Sequence, residues 1–468
     1  MTIDQINPRY YELAAREALP SHRGARYWTE RLRRAEAEFA GMPIPPPFPS
    51  VAPAGDRIRL GLLCPCLGPG GAEAWQLTLA RSLDPSRFAW MGCAVAALGA
   101  PIDPAMRAAH EAIMPVSGEP GAAKALARKC DILIGWIGQG LPSILAGISP
   151  APAVVMACHA SADSGWGATA YEDHEGITAI VGVSELAREA VPETTRAKVR
   201  VEIIWNAVDA VRLEIRRDKA SMRAAWGVPI DAPVAGFLGR LSPEKRPDLM
   251  IDAARHLPEP WHVVIVGSGH ERERLDVSGL GRVRLIDADL AAGDVLAAFD
   301  ALVVPSAYES FGLALAEGLA VGVPVVSTPV GLARLEPGLT RTVPQGADGR
   351  EIAGAILADL ADVEGTRGRV ERARRFARER LSPDRFGREW GEMLASLVPS
   401  KAGPRPRPSV DPSVRDKVNA CPDRGAILSV SLQPEGCRCG ELSECRAGRG
   451  KEPGKVTLRD CLDCQAAR

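Results

Sequence analysis

The sequence lacks any apolar run long enough to cross a bilayer; none approaches the roughly 18 residues a spanning helix needs. Its formal net charge is only −1. Its 57 basic and 58 acidic side chains create no global field that would steer it to nucleic acid or a membrane. The opening MTIDQINPRYYELAARE has no signal-peptide core, so a cytoplasmic protein is the expectation. Cysteine is missing between 159 and 420: of 11 cysteines, five fall in the first 158 residues and six crowd into 421–464. That crowding points to a local metal or crosslink module, not to a disulfide framework for the whole chain. No Walker loop and no complete G-x-G-x-x-G is present, which removes the simplest nucleotide-binding assignments. Nor is there a recognisable pair of carboxylates in the manner of a glycosidase.

What is present is a regular alternation of short apolar runs and helix-like segments. Residues 1–42 read as helical, with Trp28, Leu32, Ala35 and Phe39 on one stripe, and 43–55 is a Pro-rich linker. From Ile58 the chain gives a strand, a Gly-rich loop at 68–71 and a helix to about Leu83. Gly70 and Gly71 let a backbone approach a phosphate or sugar closely, although a tight strand–helix turn without a ligand reads the same way. Further strands are expected at Trp90–Ala96, Asp131–Trp136, Ala153–Ala157, Ala179–Val183 and Val201–Ile204. His159 follows the third of these, at the kind of strand end where α/β ligands dock; structural histidines occur there too. Trp205-Asn206-Ala207-Val208-Asp209 reads as a crossover between domains.

The second domain opens with VAGFLGRLSPEKRPDLMIDAARHL: strand, basic loop, helix. Arg240 and Lys245 flank Ser242-Pro243 just ahead of a helix N-terminus, an arrangement that suits a diphosphate and also describes an ordinary solvated basic loop. WHVVIVGSGHERERL is expected to repeat the layout, with Gly267 and Gly269 at the turn. The most informative stretch is 301–331, ALVVPSAYESFGLALAEGLAVGVPVVSTPVG. It reads as strand, loop, helix, strand, with Glu309 at the carboxyl end of the first strand and Glu317 inside the helix. Backbone N–H groups of Phe311, Gly312 and Leu313 open that helix and can bind an anion. An amphipathic helix at 381–397 and a Pro-rich, basic linker at 399–413 end the core.

In order, the chain shows GGAE (70–73), His159, NAVD (206–209), GRLSPEKRPD (239–248), VGSG (266–269) and PSAYESFGLALAEGLAVGVPVV (305–326). This set resembles the retaining nucleotide-sugar glycosyltransferases of the GT4 group, over roughly 58–397. The resemblance implies an α/β chain of GT-B fold: two Rossmann-like doubly wound domains facing a cleft, 58–208 for the acceptor and 209–397 for the donor. It implies metal-independent transfer of a hexose-type sugar from a nucleotide-sugar donor to an acceptor that is a glycan, a lipid-linked molecule or a small molecule. Arg240 and Lys245 would neutralise the diphosphate, and Phe311–Leu313 and Gly71 would contact its oxygens. Gly267 would lie at the donor turn, Glu317 would hold the ribose, Glu309 the sugar, and His159 would approach the sugar from the first domain. A catalytically idle sugar-nucleotide-binding scaffold and a GT-B epimerase remain alternatives, and weak peripheral contact with the inner face of a membrane stays open.

The tail, 414–468, is a separate module. Cys437 and Cys439 form C-x-C, and Cys461 and Cys464 form C-x-x-C. Structural zinc on these four thiolates is the expectation, with Cys421 and Cys445 as substitutes, and with disulfides or an iron–sulfur group as alternatives. Cys64 and Cys66, beside a strand, are expected to pack instead.

Overall fold

The computed structural model describes residues 54–398, apart from Pro69, 96–101, Pro120, 137–140, 165–170, 172–174 and 288–290. The expected N-terminal helix, both Pro-rich linkers and the cysteine module lie outside the described residues.

Two wholly parallel sheets form the core. The first runs in the order β3-β2-β1-β4-β5-β6-β7. Its strands are β1 (Ile58–Cys64), β2 (Phe88–Val95), β3 (Val116–Ser117), β4 (Ile132–Gly135), β5 (Ala153–Cys158), β6 (Ala179–Gly182) and β7 (Arg200–Ile203). The second runs β10-β9-β8-β11-β12-β13. It contains β8 (Val234–Leu238), β9 (His262–Val266), β10 (Val283–Ile286), β11 (Ala301–Val304), β12 (Val325–Ser327) and β13 (Arg341–Thr342). Central strands such as VVMA in β5 and VVIV in β9 are apolar at successive positions because helices cover both faces of a parallel sheet. The two-residue edge strands β3 and β13 carry too little pattern to be read from sequence.

Strand order reverses between β1 and β4 in one sheet and between β8 and β11 in the other. Loops leaving adjacent strands at such a point diverge to opposite faces and open a crevice at their carboxyl ends. The loops after β1, β8 and β11 carry Gly71, Arg240 with Lys245, and Glu309, so most of the predicted site residues fall at the two switch points.

Five helices position the site: α1 (Gly71–Ser82), α2 (Asp248–His256), α3 (Leu313–Val321), α4 (Val363–Arg380) and α5 (Pro383–Ser396). The last returns to the first sheet. Ser382 caps it by accepting from the Arg385 N–H, Pro383 occupies its first turn, and Phe386, Trp390 and Leu394 form its buried stripe. Trp390 meets Trp75 of α1 edge-on at 5.4 Å between centroids. Gly387 allows this contact, since a Cβ there would overlap the Ser82 carbonyl.

One expectation needs correction. After β9 the chain does not form another helix; it makes only a short 3-10 turn at Arg272–Arg274. In the segment ERERLDVSGLGR the apolar residues that pack on the core, Leu275, Val277 and Leu280, do not make a continuous helical stripe, and the backbone of Gly269 lies against Leu241, with Glu271 N–H donating to the Leu241 carbonyl.

Candidate functional site

Lys245 ends a 3-10 turn, Pro243–Lys245, that follows β8. Its Nζ donates to Glu309 Oε1 at 2.7 Å, and Ser306 Oγ donates to the same oxygen at 3.0 Å. The two loops are also tied through backbone: Ala307 N–H donates to the Glu244 carbonyl at 2.7 Å. The predicted cation and acid are therefore one contact. An ammonium has three donors, so Lys245 can keep Glu309 and still reach a phosphate oxygen.

Glu309 leads into Gly312, whose φ of 85° is in the left-handed region that a Cβ disfavours, and α3 starts at the next residue. The first N–H groups of a helix have no intrahelical partner, so Phe311–Leu313 present donors to the crevice. Across it, α1 begins at Gly71, and a Cβ on Gly71 would come within 3.4 Å of Leu313 Cδ1. Two helix N-termini from different sheets thus converge on one place.

Arg240 is exposed in this crevice. Its charge acts on Glu73 and Cys66 of the first sheet's loop and on Tyr308 of the second's, favouring the ionised form of all three. For Glu73 burial outweighs that effect and raises the carboxyl above its ordinary value. The Glu73 side chain folds back over Gly70 and receives the Cys66 thiol at 3.5 Å, and burial pushes that thiol up to about 12. Glu73 therefore belongs to the loop's own packing. Cys64 packs, as expected, with its sulfur 3.6 Å from that of Cys93.

His159 follows β5. Ser310 Oγ donates to its carbonyl at 2.8 Å, and Ser184 Oγ donates to the Ser310 carbonyl, so His159 lies beside the Glu309 loop. Its ring packs edge-on against Trp75 at 5.0 Å and Trp136 at 6.5 Å. Part of the residue borders solvent, but Nε2 is sealed and without a partner, and burial pushes the imidazole from 6.5 down to about 3. At neutral pH it is uncharged.

Glu317 is buried, and its Oε1 accepts from Arg212 Nε at 2.5 Å while Oε2 has no partner. Sequence pattern gives no sign of Arg212; it lies three residues after NAVD, and nothing at that spacing marks an arginine as a partner for a helix a hundred residues on. Gly267 sits at the turn after β9 in close backbone packing. Its N–H donates to the Ile286 carbonyl, and a Cβ there would overlap the Gly239 carbonyl, so it lets the β8 and β9 loops touch and offers no free donor. Among the described residues, no group of three or more metal-ligating side chains occurs, and no helix is long and apolar enough to cross a membrane.

Residues 232–362 match the family model described as Glycosyl transferases group 1. The D-inositol 3-phosphate glycosyltransferases of Mycobacterium tuberculosis and Mycobacterium bovis are 34% identical over 211 residues, covering 41% of this chain and 42% of theirs. The chain thus spans less than half the length of these curated relatives. Among solved structures, Anabaena Alr3699/HepE in complex with UDP-glucose superposes with a TM-score of 0.59 at 21% identity, over 73% of this chain and 100% of that one. Sucrose-phosphate synthase from Thermosynechococcus elongatus gives 0.56 at 16% identity, over 73% of this chain and 99% of that one. WaaG, a glycosyltransferase involved in lipopolysaccharide biosynthesis, gives 0.54 at 14% identity, over 72% and 99%. The fold is GT-B, and the segment matched by the glycosyl transferases group 1 model lies in its second half.

Proposed function

We propose that the protein transfers a sugar from a nucleotide-sugar donor to an acceptor hydroxyl, with retention of configuration and without a metal in the transfer step. One observation carries this reading: two helix N-termini and the cations Arg240 and Lys245 converge where both sheets reverse their strand order. Such a place is built for a diphosphate, and charge that grows on a leaving diphosphate meets fixed, preorganised dipoles there. Glu309, held by Lys245 and Ser306, would bind sugar hydroxyls; the free Oε2 of Glu317 would accept from the ribose; and His159 would border the sugar from the first domain through the part of the residue that faces solvent, its Nε2 being sealed. The complex of HepE with UDP-glucose supports trying UDP-sugars first, and the inositol phosphate enzymes support a cyclic polyol phosphate as the first acceptor.

Calorimetry with UDP-, GDP- and ADP-sugars tests the donor part. Tight binding of one donor, lost in Lys245→Ala and Glu317→Ala, is expected; binding of none, or binding untouched by both substitutions, refutes it. Anomeric configuration of the product, followed by NMR, tests retention. Activity that survives exhaustive chelation tests metal independence. For the tail we propose zinc on Cys437, Cys439, Cys461 and Cys464, from their spacing. Elemental analysis of the reduced full chain should give one zinc per molecule, and a substoichiometric value overturns the assignment. A cytoplasmic location belongs to the same proposal.

A further inference from the structure

Glu317 is a buried carboxylate at the crevice with only one of its oxygens bonded. Its side chain is only 4% exposed, one carboxylate oxygen is bonded to Arg212, and the other is buried without a partner. A buried acceptor left unmade is costly, and evolved interiors rarely tolerate one without use. The partner that makes the arrangement tenable comes from outside the helix and outside the second sheet. Arg212 lies on the strap between β7 and β8, the segment that joins the two sheets.

That strap is pinned at both ends. At its start, Asp209 is buried, pairs with Arg81 of α1, and accepts the Val211 N–H at 2.9 Å. At its end, Asp294 Oδ1 accepts the N–H groups of Arg216 at 2.6 Å and Arg217 at 3.0 Å. Between them Gly293 N–H donates to the Arg212 carbonyl itself at 3.1 Å, and a Cβ on Gly293 would overlap Leu213. The Arg212 backbone is thereby fixed while 43% of its side chain remains accessible. A guanidinium on a fixed backbone, bonded through Nε to one carboxylate oxygen, dictates where the other oxygen points.

We infer that Arg212 is a positioning residue for the donor site, holding Glu317 so that Oε2 is the one acceptor left for a vicinal diol of the bound nucleotide. This rests on the proposed donor reading and adds to it a residue on the linker between the sheets. Arg212 acts through Glu317. Its charge is compensated by that carboxylate, which raises the guanidinium pKa above its ordinary value. Recognition of the sugar ring of the nucleotide is thus coupled, through Asp209 and Arg81, to the placement of α1 on the opposite side of the crevice.

The test compares UDP with 2′,3′-dideoxy-UDP by calorimetry on the full chain; if only ADP or GDP binds, the same pair is made in that base. The wild type should prefer the diol by about 10- to 100-fold, the worth of a charge-assisted hydrogen bond. Arg212→Gln should reduce that preference to within about threefold, chiefly by weakening UDP while leaving the dideoxy compound nearly unchanged. Arg212→Lys should recover part of it. Glu317→Gln should abolish the preference as well, and combining it with Arg212→Gln should add little, because the two act as a unit. A merely structural arginine predicts something else: both ligands weaken together, with a fall in the thermal midpoint of the free protein. That result, or a preference unchanged in Arg212→Gln, overturns the inference. Failure of the wild type to bind UDP, ADP or GDP refutes the donor reading and this inference with it, whereas normal binding with an Arg212-independent preference refutes this inference alone.

Discussion

Replacing His159 by Phe removes a titrating nitrogen and keeps an aromatic ring in contact with Trp75 and Trp136. The folded imidazole has its pKa lowered from 6.5 to about 3 by burial, with no compensating partner on Nε2. In the unfolded chain the same group returns to its ordinary value, so between the two pKa values the unfolded state holds more protons. Stability is then fully present above about pH 6.5 and is lost as pH falls toward 3. From those values, the wild type should lose about 2 kcal/mol at pH 5 relative to pH 8 through this one group. Urea unfolding followed by tryptophan fluorescence at both pH values, in wild type and His159→Phe, isolates the term as the difference of the two differences. The variant should show a shallower pH dependence by about that amount. A second reading comes from the NMR titration of the ring proton assigned by the same substitution: it should stay in the neutral position down to pH 5. Equal pH dependence in the two proteins, or a midpoint near 6.5, refutes the sealed-imidazole reasoning. It would also restore His159 as a cation at the sugar, which the sealed geometry does not allow.

Lys245→Ala should lower kcat/KM by about 10- to 100-fold, measured by donor turnover, because the proposed charged contact to a diphosphate would be worth roughly 1.5–3 kcal/mol. Glu309→Gln should separate binding from transfer: affinity for the bare nucleoside diphosphate holds or rises as Lys245 is released from its acid, while transfer falls by about 100-fold. Gly387→Ala should destabilise the fold by about 1–3 kcal/mol in denaturant titration, since the added methyl meets the Ser82 carbonyl and α5 must lift from α1. Cys66 should label with a thiol reagent at pH 8 about a thousandfold more slowly than an ordinary cysteine, read by peptide mapping, because its thiol is pushed up to about 12 from 9.0.

Residues that act through local pattern are legible in the sequence. Apolar runs bounded by Gly and Pro mark most of the strands, and the basic loop after β8 and the acid after β11 lie where parallel sheets bind ligands. The sequence implies Glu309 and Lys245 only as two separate roles, since 64 residues divide them and no pattern gives the distance between two loops. Arg212 is invisible for the same reason at greater range. Gly267 is ambiguous in sequence because a glycine after a strand serves close backbone packing as readily as ligand approach, and the contact with the Gly239 carbonyl becomes visible only in the fold. The missing helix after β9 shows the opposite limit: the layout repeats in sequence, but the segment's apolar residues do not fall on one continuous helical stripe.

The Glu309 loop depends on both sheets, and this constrains how the site works. Ser310, the next residue, donates to the His159 carbonyl and accepts from Ser184, so the loop that bears Glu309 is also the seam with the first sheet. Trp205 on the crossover packs against Phe311 at 6.1 Å, and Arg380 at the end of α4 stacks over the same indole at 5.3 Å. Opening the crevice must break the two serine hydrogen bonds, each worth roughly 0.5–1.5 kcal/mol, and so must disturb the loop that positions Glu309 and the N-terminus of α3. A site whose acid and anion-binding amides are aligned by the same contacts that close it is aligned only when closed. Under the proposed function, water would reach a bound donor chiefly in the state where the loop is least well placed to help it react, which would favour transfer to an acceptor already in the crevice over hydrolysis.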